Sequence, residues 1–197
     1  MLFNRKNSFK DERYNGKRIG IIGLGPRNGT THIAVAVSNF LSETKHKRVC
    51  LVEQNRHEDL TRLTETLVPS NSGICSYHRV TYIPSSQVNN PLYDLKYDCM
   101  VFDLGHDLLR NLNFLQLCDI KIAVGTDAPW RKHEYAVIKE LFGKERIPDS
   151  WRLFINLGNP RYLKALDHCP VFKGCFPFEP DPVFPSNETI KFLEDII

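Results

Sequence analysis

Residues 18–53 read RIGIIGLGPRNGTTHIAVAVSNFLSETKHKRVCLVE, a strand-like segment, a glycine-bearing loop, a helix-like segment and a second strand-like segment. Residues 18–22 are apolar and β-branched, as in a buried parallel strand. The loop glycines permit positive φ and close approach of a ligand, and Thr30 or Thr31 can cap the helix that follows. Because unpaired N–H groups and the helix dipole at such a start attract anions, the sequence predicts a phosphate-binding loop. A glycine turn without a ligand is the alternative.

The rest of the chain continues this alternation. Strand-like segments are predicted at residues 48–53, 78–83, 98–103, 120–124 and 151–155, and helices at residues 59–67, 108–117, 133–142 and 188–197. The order predicts an α/β fold with three layers: a mostly parallel twisted sheet covered by helices on both faces through right-handed crossovers. Ligands of such sheets bind beyond the carboxyl ends of the strands, where Gly23, Glu53, Asp103 and Thr126 would converge.

Composition narrows the classes of protein that remain. A chain of 197 residues with 42% hydrophobic content can bury one core, so residues 18–197 are predicted to form a single domain. The net charge of +3 is uneven: residues 1–18 hold six basic and two acidic side chains, and the other 179 residues carry about −1. Residues 1–17 are therefore predicted to be a basic, solvated N-terminal arm. Basic residues without a DNA-reading motif do not indicate nucleic-acid binding.

Several other site types lack support in the sequence. No apolar run approaches the roughly 20 residues that span a bilayer, the first ten residues contain no apolar signal core, and the ending KFLEDII is short and acidic. These features predict a cytoplasmic protein without a direct membrane anchor. The six cysteines form no CxxC pair and are predicted to be buried small hydrophobic residues. The seven histidines show no metal-ligand spacing, and most are predicted to be surface or structural residues.

Four segments, in order, resemble one family. They are the loop GLGPRNGTTH, the strand end RVCLVEQNRHEDLTRL, the segment KYDCMVFDLG, and the pair WRLFINLGNP with CFPFEPDPVFPSNE, which together cover nearly the whole chain. They are similar to the deviant Walker A class of P-loop ATPases (SIMIBI class), the MinD/ParA group. This group includes the nitrogenase iron protein and the pilus localisation factors TadZ and CpaE. The resemblance implies a P-loop NTPase-like fold.

The loop departs from the family pattern GKGGVGKTT at both lysines. Gly25 stands at the signature lysine that reaches a partner subunit's nucleotide in the family, and Thr30 stands at the lysine that neutralises phosphate charge. Arg27 is a cation that could compensate in part. After the second strand, Asn55 replaces the family acid that positions the attacking water, and asparagine cannot act as a carboxylate. No catalytic residue is therefore assigned.

The resemblance implies ATP or ADP with Mg²⁺ as the ligand. The predicted nucleotide-binding residues are Arg27, Asn28, Gly29, Thr30, Thr31, His32, Asp103 and Asn156. Thr31 and Asp103 match the family residues that hold Mg²⁺ or its water, and Asn156 matches an asparagine that contacts adenine. The two missing lysines and the missing acid indicate slow hydrolysis or none.

Three hypotheses of function follow. The first is a catalytically weak or inactive MinD/ParA-like ATPase, a homodimer that binds a protein partner as a localisation or assembly scaffold, for example in pilus machinery. The second is an active, Mg-ATP-dependent dimerisation switch in which Arg27 and backbone donors replace the lysines. The third is an NAD(P)-type dinucleotide-binding protein, because Gly23, Gly25 and Gly29 approximate GxGxxG and Glu53 ends the second strand.

Overall fold

A computed structural model describes residues 16–68, 73–88, 97–137, 150–165 and 172–197. The strands are β1 (Lys17–Gly23), β2 (Val49–Glu53), β3 (Cys75–Tyr77), β4 (Val80–Ile83), β5 (Cys99–Asp103), β6 (Ile120–Thr126), β7 (Trp151–Asn156) and β8 (Phe172–Phe176). The α-helices are α1 (Thr30–Glu43), α2 (Asp59–Leu67), α3 (Leu108–Leu115), α4 (Pro160–Ala165) and α5 (Asn187–Glu194). Short 3₁₀ helices span Ser85–Gln87 and Pro129–Tyr135.

All eight strands form one sheet in the order β3-β4-β2-β5-β1-β6-β7-β8. Every neighbouring pair is parallel except β3 with β4. The central strand β1 is apolar because both of its faces are covered. Ile19 and Ile21 pack with α1 and α5 on one face, whereas Ile22 packs with α3 on the other. The predicted three-layer, mostly parallel α/β fold is confirmed.

Most predicted strands and helices are present, with ends that differ by at most three residues, but two regions differ. The predicted strand at residues 78–83 begins at Val80, because His78 and Arg79 have positive φ and form the turn of a hairpin with the unpredicted strand β3. Within the predicted helix at residues 133–142, residues 133–135 belong to the 3₁₀ helix Pro129–Tyr135, residues 136 and 137 are α-helical, and the part from residue 138 lies outside the described residues. Helix α4 and strand β8 were not among the predicted helices and strands.

Other predictions divide between the described and undescribed parts of the chain. The basic arm lies almost wholly outside the described residues. Cys50, Cys75, Cys99 and Cys118 are buried, in agreement with their predicted role as small hydrophobic residues, whereas Cys175 is half-buried and Cys169 lies outside the described residues. Of the aromatic residues near the end of the chain, Phe176 is buried while Phe178 and Phe184 are exposed. In the described ranges, none of the helices has the length and apolarity needed to cross a bilayer.

Candidate functional site

The loop between β1 and α1 lies at the carboxyl edge of the sheet and borders a cleft of about 470 Å³. The cleft is lined by Gly25, Pro26, Arg27, Asn28, Gly29, Thr30, Thr31, His32, His57, Asp59, Gly105 and His106. Arg27 and Gly29 have positive φ, which turns the loop back on itself before the helix starts. Within the described residues, α1 has neither a side-chain cap nor an acid in its first turn. Its first turn therefore has no capping or acidic side chain of its own, although the Asp59 carboxylate lines the same cleft.

Thr31 and Asp103 meet beside this cleft. The Thr31 hydroxyl donates a 2.6 Å hydrogen bond to Oδ2 of Asp103, and the Asp59 carboxylate lies 3.5 Å from the same hydroxyl. The contact forms because β5 is next to β1 in the sheet, so the end of β5 lies beside the start of α1. A hydroxyl and a carboxylate next to a phosphate loop are ligands suited to Mg²⁺, which takes its remaining ligands from water and phosphate.

Asp103 is completely buried, and its environment favours the protonated form. Burial raises the pKa of Asp103, and the nearby Glu53 charge acts in the same direction. Hydrogen bonds from the Thr31 hydroxyl and the Gly105 N–H partly offset this rise in pKa. A cation next to Asp103 would favour the ionised form, so the pair is better suited to a metal-bound than to a metal-free state.

No group of three or more His, Cys, Asp or Glu side chains converges as a metal site among the described residues. Any Mg²⁺ at Thr31 and Asp103 would therefore depend on phosphate oxygens and water for the rest of its coordination. This is the usual arrangement for Mg²⁺ bound together with a nucleotide, and it differs from a protein-only metal cage.

Thr30, which the sequence resemblance aligns with the family's phosphate-binding lysine, is buried and points toward β1. Its Oγ1 lies 2.7 Å from where a Cβ on Gly23 would stand, so Gly23 allows the loop to close onto the strand. Thr30 contributes no positive charge to the cleft. The cation on the loop itself is Arg27, which is exposed and lines the cleft.

Gly25, which the sequence resemblance aligns with the family's signature lysine, is packed against the ion pair of the buried Glu134 and the half-buried Arg131. A Cβ on Gly25 would lie 2.1 Å from Oε1 of Glu134. Glu134 accepts a 2.6 Å bond from Nε of Arg131, and the Arg131 guanidinium also donates to the Pro26 carbonyl. The 3₁₀ helix Pro129–Tyr135 therefore occupies the space that a side chain at position 25 would need.

Asn28 joins this contact from the loop side. Its Nδ2 donates to Oε2 of Glu134 and to the Val124 carbonyl, both at 3.0 Å. Its buried Oδ1 has no hydrogen-bond partner within the described residues. The loop is thus held from outside by β6 and the 3₁₀ helix, and one acceptor atom remains unsatisfied.

The side chains of Glu53 and Asn55 both form hydrogen bonds with backbone groups. The Glu53 carboxylate accepts N–H groups of Asp59, Leu60 and Ser85 at 2.8 to 3.2 Å, which caps the start of α2. Asn55 donates to the Asp103 carbonyl and accepts from the His57 N–H. Neither side chain therefore points to the cleft as a reactive group.

In the described residues, the structure lacks two features that an NAD(P)-type dinucleotide-binding site requires. A dinucleotide fold places β1 beside β2, but here β5 separates them. The acid at the end of β2 would have to reach a ribose, yet Glu53 is buried and bound to three backbone N–H groups.

Asn156 lies behind the loop. Its Nδ2 donates a 2.9 Å bond to the Asn28 carbonyl, and the same nitrogen is 2.1 Å from where a Cβ on Gly29 would stand. The predicted residues Arg27, Asn28, Gly29, Thr30, Thr31 and His32 line one cleft, whereas Asn156 does not. The adenine contact implied for Asn156 stays a prediction.

Sequence reasoning missed His57, Asp59, His106, Arg131 and Glu134. Asp59 follows the end of β2 by six residues at the start of a predicted helix, which is a signal that could have placed it at the same edge. The contact of Glu134 with Gly25 joins residues more than a hundred positions apart. No local pattern indicates it.

Comparison with solved structures identifies the fold. The putative plasmid partition protein of Borrelia burgdorferi B31, bound to AMPPNP, aligns over 92% of this chain and 96% of its own with a TM-score of 0.63 and 18% identity. A ParA family ATPase from Chlorobium tepidum TLS covers 91% and 93% with a TM-score of 0.57 and 14% identity. The cell division protein MinD of Aquifex aeolicus covers 91% and 97% with a TM-score of 0.62 and 14% identity.

The chain has the ParA/MinD fold. No protein-family model and no curated protein sequence matches it. The resemblance of the four sequence segments to the MinD/ParA group is therefore confirmed at the level of the fold. The phosphate-binding role of the β1–α1 loop and the metal-binding role of the Thr31–Asp103 pair beside it stay predictions.

Proposed function

We propose that this protein binds ATP or ADP with Mg²⁺ in the cleft beside the β1–α1 loop, hydrolyses ATP slowly or not at all, and acts as a localisation or assembly scaffold. The observation that carries the proposal is the Thr31–Asp103 hydrogen bond of 2.6 Å beside the uncapped start of α1. The Thr31 hydroxyl and the Asp103 carboxylate can bind Mg²⁺ or its water, and the neighbouring N–H groups at the start of α1 can bind phosphate oxygens.

The residues present fit a Mg-nucleotide. The loop N–H groups and Arg27 would receive phosphate oxygens, and Thr31 with Asp103 would hold the metal or its water. Mg²⁺ would neutralise phosphate charge, which matters here because no lysine stands in the loop. AMPPNP bound to the Borrelia protein, which shares this fold, supports an adenine nucleotide as the ligand.

Weak hydrolysis is proposed from the charges and contacts around the cleft. Position 30 supplies a buried threonine where the family supplies a phosphate-binding cation. Asn55 is bound to the backbone by both ends of its amide, and it is no carboxylate. The loss of a transition-state cation alone costs phosphoryl-transfer enzymes several orders of magnitude in rate.

The scaffold part of the proposal includes a homodimer and a protein partner. Because the Glu134–Arg131 pair fills the space at Gly25, a lysine cannot extend from this position to a partner subunit. We therefore propose self-association that does not require nucleotide. The role in pilus or other surface machinery rests on the sequence resemblance to TadZ and CpaE, and a cytoplasmic location rests on the sequence as well.

The test is calorimetric titration of the full chain with ATP, ADP, AMPPNP and NAD, with and without Mg²⁺, beside a phosphate-release assay at saturating Mg-ATP. We expect Mg²⁺-dependent binding of ATP and ADP and no turnover above a buffer blank. Thr31→Val, which removes the metal-facing hydroxyl at nearly constant volume, should lose the Mg²⁺ dependence. Thr66→Val on the exposed face of α2 is the matched control.

The outcomes separate the three hypotheses. Turnover that disappears in Asp103→Ala would establish the active switch in place of the scaffold. Binding of NAD without binding of ATP or ADP would restore the dinucleotide hypothesis. Absence of binding by all four ligands would leave the β1–α1 loop as a structural turn and refute the proposed nucleotide site.

A further inference from the structure

A second cleft adjoins the first at the carboxyl edge of the sheet. It has a volume of about 400 Å³, within the range of small-molecule sites, and lies between the ends of β2 and β5. Its lining consists of Glu53, Gln54, Asn55, Arg56, His57, Ser85, Val88, Leu104, His106, Asp107, Arg110 and Asn111. His57 and His106 line both clefts, and their rings stack with centroids 5.4 Å apart at 23°. The histidine pair therefore separates two neighbouring spaces.

The acidic side chains of this second cleft are already occupied. Glu53 accepts two backbone N–H groups at the start of α2 and a third from Ser85, at the start of the 3₁₀ helix Ser85–Gln87. Asp107 accepts the Arg110 N–H as the N-cap of α3. The two carboxylates thus stabilise helix starts, where the helix dipoles offset their charge.

Two amides of the cleft are occupied as well. Asn111 donates to the carbonyls of Leu104 and Asp107, and both ends of the Asn55 amide are bound to backbone groups. Val88 and Leu104 add apolar wall. The carboxylates and these two amides are therefore held by contacts within the fold.

The lining of the second cleft also contains two arginines. Arg56 and Arg110 are exposed and line the cleft from the loop after β2 and from α3, and no side-chain hydrogen bond or ion pair of either is observed in the part of the chain that the structure describes. Guanidinium groups recognise carboxylate and phosphate oxygens through paired N–H donors. The cleft thus combines two unengaged donor groups with the imidazoles of His57 and His106.

We infer that this second cleft binds a small organic anion carrying carboxylate or phosphate groups, held by Arg56 and Arg110, at a site separate from the nucleotide site. The inference goes beyond the proposed function, because it does not require nucleotide binding. The ligand would contact the stacked histidines on the face opposite the phosphate loop, so each site can sense the occupancy of the other through this pair.

The test uses malonate and inorganic phosphate as separate probes, titrated into the full chain at constant pH and ionic strength. Histidine ring resonances report the location, and calorimetry reports the affinity. We expect saturable binding of at least one probe with shifts of the His57 and His106 resonances and none of His133, which lies in the 3₁₀ helix Pro129–Tyr135. In Arg56→Gln/Arg110→Gln, binding should weaken about tenfold or more.

Two controls make the result specific. Arg48→Gln removes an exposed arginine at the opposite edge of the sheet, where it pairs with Asp98, and should change the affinity less than about twofold. Thr31→Val alters the nucleotide site and should leave anion binding unchanged. Failure of nucleotide binding with intact anion binding would refute the proposed function alone.

Three outcomes would overturn the second site. The first is a dissociation constant above about 10 mM for both probes, which is weaker than a specific site gives. The second is an equal loss of affinity in Arg48→Gln, which would indicate unspecific attraction to positive charge. The third is loss of anion binding in Thr31→Val, which would place the anion in the phosphate cleft.

Discussion

Asp103 is the residue on which the candidate metal site depends, and its burial has a consequence for stability. The raised pKa means that the folded state binds a proton more tightly than the unfolded state. The stabilisation from this proton is fully present below the ordinary pKa of 3.8 and is lost as pH rises through the raised folded value. At neutral pH, in the absence of a cation, the ionised carboxylate is therefore a cost to the fold.

Asp103→Asn tests this cost. The amide can keep both contacts, since its oxygen can accept from Gly105 and its nitrogen can donate to the Thr31 oxygen. We expect a higher free energy of unfolding than wild type at pH 7.5 without Mg²⁺, and a difference that shrinks toward pH 4. Urea unfolding at several pH values measures it.

Asp98→Asn is the matched control with the opposite sign. Arg48 lowers the pKa of Asp98, so that carboxylate stabilises the fold above its ordinary pKa and loses this effect as pH falls. We expect Asp98→Asn to be less stable than wild type at pH 7.5 and equal to it at low pH. A pH-independent loss of stability in Asp103→Asn would contradict the account of the buried charge.

Thr30 tests how far the missing lysine limits binding. Thr30→Lys adds one cation to the cleft, and a charged hydrogen bond contributes about 1.5 to 3 kcal/mol, which corresponds to roughly 10- to 100-fold in affinity. We expect Mg-ATP to bind the variant at least tenfold more tightly in calorimetry. Thr30→Met has a similar length without the charge, and equal affinities in the two variants would contradict the electrostatic explanation.

At the scale of elements, the 3₁₀ helix Pro129–Tyr135 holds the loop through the contact of Glu134 with Gly25. Gly25→Ala should destabilise the protein by about 1 to 3 kcal/mol, because the new methyl group overlaps the Glu134 carboxylate. In a Glu134→Ala background the same change should cost close to nothing. Urea unfolding of the four proteins in a double-mutant cycle measures this coupling, and additive effects would contradict the contact.

The sequence was sufficient for elements whose signal is local. Apolar strand segments and the helix starting at Thr30 follow from short-range patterns, so the fold class could be predicted. The hairpin of β3 and β4 was missed because its turn uses His78 and Arg79 at positive φ instead of the expected glycine or asparagine. The roles of Glu53 and Glu134 were missed because hydrogen-bond partners across the fold decide them.

At the scale of the whole molecule, sheet order explains which site residues could be placed from the sequence. Parallel strands bring their carboxyl ends to one edge, which is why Thr31 and Asp103, the two residues that the family resemblance implies for the metal, lie within hydrogen-bond distance of each other. The same edge holds the second cleft, which no motif predicted, because its arginines come from a loop and a helix with no shared pattern. The molecule therefore presents two adjoining clefts on one edge.

The geometry of the β1–α1 loop leads to a prediction about self-association of the whole molecule. The sequence resemblance aligns Gly25 with the lysine that reaches a partner subunit's nucleotide in the MinD/ParA group, and here the Glu134–Arg131 pair fills the space that a side chain at this position would need. We expect the protein to have the same dimeric mass in light scattering coupled to size exclusion with no nucleotide, with Mg-ADP and with Mg-AMPPNP. Arg131→Gln, which weakens the pair without adding bulk, serves as the control and should keep the dimer. A monomer that dimerises only with Mg-AMPPNP would refute the scaffold hypothesis and favour the dimerisation switch. Because position 25 is glycine, a cation elsewhere in the chain would then have to connect the nucleotide to the partner subunit.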